Sequence, residues 1–213
     1  MSLKQISSLT TIKQQAKSLR PSTEPTDTGV QITLSGEQTQ AGLDRMLQVN
    51  NPAKVDKLLL TSLECTTGCK VVEISRSSFK DDGVDIIVSG YRIESTSLDA
   101  INKCIATVMQ AMVPMPKEML VDDLTLLAAL VVKPAGESSD DHAMRIQAIA
   151  NELSAYPADI VKYAIKQVSE TTTFWPAYSE FHKHIKWRLR RRELMLSSLQ
   201  QKKLDLTLNL SQN

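Results

Sequence analysis

Aromatic side chains are scarce, 4% of this 213-residue chain, with Trp 2, Tyr 4 and Phe 3. A large β-sandwich or barrel core is usually rich in them, so their scarcity favours helices packed through Leu, Ile and Ala. Glycine (7) and proline (8) are too few for a collagen-like or low-complexity chain. The three cysteines, Cys65, Cys69 and Cys104, are too few and odd in number for a disulfide framework. A Cys2His2 zinc site would have to join Cys65 and Cys69 to His182 and His184 from far along the chain, whereas structural zinc pairs usually sit close in sequence. Reduced, partly buried thiols are expected instead, with no metal and no cofactor. No apolar run is long enough for a transmembrane helix, and the start MSLKQISSLTTIKQQAK has no apolar signal-peptide region. These absences lead to the expectation of a cytoplasmic protein with no membrane contact.

Catalytic signatures are missing as well. The scattered glycines form no G-x-x-x-x-G-K-[ST] phosphate loop, and H-E-x-x-H, G-x-S-x-G and C-x-x-C do not occur. The adjacent carboxylates Asp81-Asp82, Asp122-Asp123 and Asp140-Asp141 do not face one another on a helix and make poor dyads. A non-enzyme is the expectation.

What is present is helical periodicity. Residues 1–38 read as an N-terminal arm, with a short amphipathic helix over 1–20 and a Pro/Ser/Thr-rich linker after it. Residues 39–117 read as a small α+β region. Helices are expected over 39–50, 52–64 and 97–112, and a hairpin from CKVVEIS (69–75) and VDIIVSGYRI (84–93). Residues 118–200 read as a compact helical module, with helices over 118–131 and 140–154, a third opening at Pro157, and a long basic last helix opening near Pro176. The expected fold is therefore mainly α with a small β-hairpin.

Within that module, ELSAYPADIVKYAI and TTTFWPAYSEFHKHI are more specific than periodicity. Tyr156, Pro157, Val161, Phe174, Trp175, Pro176, Glu180 and Phe181 together resemble a motif of phage and prophage replication proteins of the helicase-loader/inhibitor type. The resemblance covers residues 118–196. It implies an adaptor that binds a replicative helicase or another replisome component. Read as chemistry alone, the aromatics are expected in the core of a small bundle.

Charge is uneven. Residues 176–213 carry eight basic and three acidic side chains on a chain of net charge +1. Lys183, Lys186, Trp187, Arg188, Arg190, Arg191 and Arg192 form a candidate nucleic-acid surface, in which arginine would grip phosphate and Trp187 would stack on a base. Such a surface would suit a nucleic-acid-binding regulator; a solvated helix face, or a self-association seam through Ile185, Leu189, Leu196 and Leu199 of a homo-oligomeric phage assembly or structural protein, fits the same residues. In the tail, 201–213, Leu204, Leu206, Leu208 and Leu210 alternate with polar residues including Asp205. Period two predicts an extended strand that pairs with a partner's edge or with the chain's own hairpin. Lys203-Leu204-Asp205-Leu206 also resembles the core of bacterial sliding-clamp-binding peptides, without their leading Gln and terminal aromatic.

Overall fold

The computed structural model describes residues 36–49, 51–80, 83–95 and 97–211. The expected helix over 1–20 and most of the expected linker lie outside the described residues. Among the described residues the fold is mainly α with one antiparallel hairpin: α1 (Gly36–Val49), α2 (Pro52–Thr67), β1 (Lys70–Lys80), β2 (Gly83–Glu94), α3 (Leu98–Gln110), α4 (Lys117–Leu130), α5 (Ser139–Leu153), α6 (Ala158–Thr171) and α7 (Tyr178–Ser211).

Local chemistry accounts for several boundaries. Asn51 caps α2 by accepting from the N–H groups of Ala53 and Lys54 at 3.1 and 3.2 Å. Gly68 ends that helix at φ 67°, and its N–H returns to the Glu64 carbonyl. Ser97 and Ser138 cap α3 and α5 through the N–H groups of Ala100 and Asp141. Pro157 sits at the cap of α6, so the helix opens at Ala158, one residue later than expected. The cause is tertiary: Ala158 N–H donates to the Val113 carbonyl at 3.0 Å, which draws the Pro157 backbone into a bridge with Pro114.

The hairpin is longer than its apolar segments. SRSSFKDD reads as a connection, yet Ser75 through Lys80 pair with Val88 back to Gly83. The register slips after Ile74, which leaves Ser89 as the extra residue, and its hydroxyl closes the gap by donating to the Ile74 carbonyl.

One hydrophobic core joins 39–117 to 118–200, so the expected boundary near residue 117 is not a division of the packing. Helix α7 makes the connection by packing on α3, α6 and β2. Its inward stripe is Phe181, Ile185, Arg188, Arg192, Met195 and Leu199, at alternating steps of four and three residues. Helix α1 crosses α3 closely at Gly42, where a Cβ would stand 2.8 Å from the Gln110 carbonyl oxygen.

The tail is a correction. Residues 204–211 continue α7 as helix and form no strand. Gln, Lys and Leu are strong helix formers, and neither Gly nor Pro follows Pro176 to stop the helix. Gln201 bonds Asp205 at 3.0 Å across one turn, and Leu206 packs against the core while Leu204, Leu208 and Leu210 are exposed. Alternation along the sequence therefore does not become one apolar face.

Candidate functional site

Most candidate residues lie on α7, and the helix divides them. Arg192 is a second correction, because only 1% of it is exposed. Its Nε donates to Asp56 Oδ1 at 2.8 Å. Its Nη1 and Nη2 grip both oxygens of Asp159 at 2.8 and 2.6 Å, and Nη1 also reaches the Ala111 carbonyl at 2.6 Å. The node ties α2, the end of α3 and α6 to α7. Burial works against the charge of Arg192, but the hydrogen bonds and charges of Asp159 and Asp56 outweigh it and raise its pKa above the ordinary arginine value. Burial is also the largest influence on Asp56 and lifts its carboxyl above 3.8 despite Arg192.

Arg191 is half-buried and paired with Glu73 on β1, whose other contact is the Tyr91 hydroxyl at 3.4 Å. Arg188 is 7% exposed and lies against two rings, its Cζ 4.0 Å from the centroid of Tyr163 and 4.2 Å from that of Trp187. Thus three of the expected phosphate-binding arginines turn inward. The physical reason is the helical step of about 100° per residue, which spreads consecutive arginines around the cylinder. Lys183, Lys186, Trp187 and Arg190 remain on the outer side. Of these, Lys183 pairs with Glu180, and Arg190 lies 3.9 Å from Glu193. The stripe proposed as a self-association seam serves the chain's own core: Ile185 and Leu199 are buried, and Leu189 and Leu196 pack against them.

The motif residues over 156–181 are also split. Val161, Trp175 and Phe181 are buried, Pro157 and Pro176 are enclosed, and the hydroxyls of Tyr156 and Tyr178 bond at 2.8 Å beside His182. Trp175 meets His142 edge-on at 4.7 Å, and His142 in turn meets Glu137 at 3.2 Å. Phe174 departs from the expected core position and is 66% exposed. Backbone pairing decides this: Val132 N–H donates to Thr173, and Trp175 N–H donates back to Val132. Successive residues of an extended segment point to opposite sides, so Trp175 inside places Phe174 outside. Val132 stands beside it through a backbone bridge and is exposed, as are Leu130 and, one turn earlier on α4, Leu126.

Asp56, Asp159, Tyr163 and the exposed Leu126, Leu130 and Val132 were not marked as functional by pattern. A signal existed for the first two: the four-three stripe of α7 runs through Arg188 and Arg192, and charge at such positions requires buried partners. Cys69 and Cys104 are buried neighbours, and burial, then Cys104, pushes the Cys69 thiol up to about 12, far from a reactive thiolate. Among the described residues, no three His, Cys, Asp or Glu side chains gather to hold a metal ion, and no helix is long and apolar enough to cross a membrane. Compared with family models, curated proteins and solved structures, the chain finds no match.

Proposed function

We propose that this protein is a non-enzymatic adaptor of phage DNA replication that recruits a replicative helicase in the bacterial cytoplasm. The motif over 156–181 points to the partner. The observation that carries the reading is the outward Phe174 bridged to exposed Val132, with Leu126 and Leu130 of α4 also exposed. Apolar area left in water costs about 25 cal/mol per Å², and a rimmed apolar patch marks an interaction surface. The buried ionisable groups of the Arg192 node are engaged with one another, which supports a structural role for them.

Pull-down of a replicative helicase by the full chain tests the reading. The expected result is a complex at micromolar concentration that is lost in the double variant Phe174→Ser, Leu130→Ser, with an unchanged melting temperature. Failure of the wild-type chain to bind, or undiminished binding by the variant, overturns it. A second reading is a nucleic-acid-binding regulator, favoured by exposed Trp187 beside Lys183, Lys186 and Arg190. Binding that weakens steeply with salt and with Trp187→Ala would favour it.

A further inference from the structure

Helix α4 buries one side through Leu120, Leu124 and Leu127 and leaves the opposite side to solvent. The outer side carries two ridges, each rising in steps of four residues. One is Asp122, Leu126 and Leu130, with the leucines 66% and 73% exposed. The other is Thr125 and Ala129, both exposed, and the same step leads to exposed Lys133, just past the Val131 cap. Covering this side strands no hydroxyl, because Thr125 already donates to the Val121 carbonyl at 2.7 Å. Asp122 and Lys133 enter no ion pair among the described residues, whereas the neighbouring Asp123 is met by Lys162. The two ridges match each other in reverse. Turning the helix end for end about the point midway between Leu126 and Ala129 lays Leu126 over Ala129, Leu130 over Thr125 and Asp122 toward Lys133.

We propose that the outer face of α4 seats a second copy of this chain, packed antiparallel about a two-fold axis between Leu126 and Ala129. A two-fold interface is self-complementary: when one residue meets another across it, the reverse contact forms as well. Helices pack by setting the ridges of one into the grooves of the other, and here each leucine ridge lies along the partner copy's small-residue ridge. Charge fits the same arrangement. Asp122 at one end of the face approaches Lys133 of the other copy, and the pair forms twice. A foreign helix would require no match between this chain's own two ridges, and a nucleic acid would meet apolar surface with a carboxylate at its end. The inference goes beyond the adaptor reading and does not rest on it. Leu130 belongs to both surfaces, so a helicase and a second copy would compete for it.

Sedimentation equilibrium of the full chain at low salt tests the proposal. The expected result is a reversible monomer–dimer equilibrium. Asp122→Lys and Lys133→Asp should each weaken the dimer about tenfold, since either change turns two attractions into two repulsions. An equimolar mixture of these two variants should regain about the wild-type affinity, because the mixed dimer sets acid against base at both ends. That recovery is specific to the antiparallel pairing of these two positions. Leu126→Ser should leave a monomer. If Leu126→Ser loses its helical signal, the charge variants alone carry the test. A chain that stays monomeric up to about 1 mM overturns the proposal. So does a dimer that Leu126→Ser leaves intact, or a mixture of the charge variants no stronger than either alone. Because no helicase is present in the experiment, its outcome is separate from that of the pull-down.

Discussion

Replacing Arg192 by methionine keeps most of the side-chain volume and removes every hydrogen bond of the node. Asp159, fully buried, then loses a two-bond partner, Asp56 loses its 2.8 Å bond, and the Ala111 carbonyl is orphaned. Removing one member of a buried ion pair costs about 3–5 kcal/mol, because the other charge is left without compensation. For a chain of this size that corresponds to a fall in melting temperature of about 6–20 °C, at roughly 2–4 °C per kcal/mol. The companion variant Arg192→Met, Asp159→Val, Asp56→Ala removes the charges together. It should recover part of the loss and retain about 1–3 kcal/mol for the unpaired carbonyl. Acid sharpens the comparison. Burial already raises the Asp56 carboxyl above 3.8, and losing Arg192 raises it further. A carboxyl raised on folding favours the fold below its unfolded value, and that advantage is lost as pH rises through the folded value. The single variant is therefore least impaired below pH 3.8 and most impaired at neutrality. Urea unfolding across pH measures this. A loss below about 1 kcal/mol at neutral pH, the level of an exposed ion pair, would refute a buried node.

His184 supplies a pH dependence of opposite origin. Burial, aided by Lys183 and Arg188 and opposed by Glu180, lowers its pKa below 6.5. The neutral ring favours the fold fully above 6.5, and that contribution is lost as pH falls below it. Urea midpoints of the wild type should drop between about pH 7.5 and about pH 5, and His184→Asn should flatten part of that slope. Along the end of α7, Leu206→Ala should cost about 1–2 kcal/mol, less than a fully buried leucine, because Leu206 packs only partly against the core. Leu204→Ala and Leu208→Ala should stay within about 0.5 kcal/mol in thermal melts, as exposed positions do. Equal losses at the three sites would indicate one shared apolar face and refute the helical phase.

Much of the secondary structure was legible from local signals. Asn51-Pro52, Ser97 and Ser138 announce helix starts because their side chains satisfy N–H groups that any helix leaves free. The stripes Leu120, Leu124, Leu127 and Ile160, Val161, Ala164, Ile165, Val168 are buried as their spacing implies, while Val131, expected to continue the first, caps α4 and is only partly buried. The tail shows where pattern misleads: period two and period 3.6 compete over a few leucines, and the helix that α7 had already begun prevails, since extending a helix costs far less than nucleating one. The candidate site was less legible. A run of basic residues determines charge, but whether an arginine faces solvent depends on what the rest of the chain brings to it. Asp56 and Asp159 lie far from Arg192 in sequence, and they reach it only because α2 and α6 pack against the same side of α7. Phe174 and Trp175 are neighbours of similar chemistry, and only the backbone pairing with Val132 decides which is core and which is surface. The sequence by itself determined the helices, their apolar faces and the basic character of the last one. The tertiary structure decided which charges are neutralised within the fold, because ion pairing and burial depend on distances between segments that no local pattern encodes.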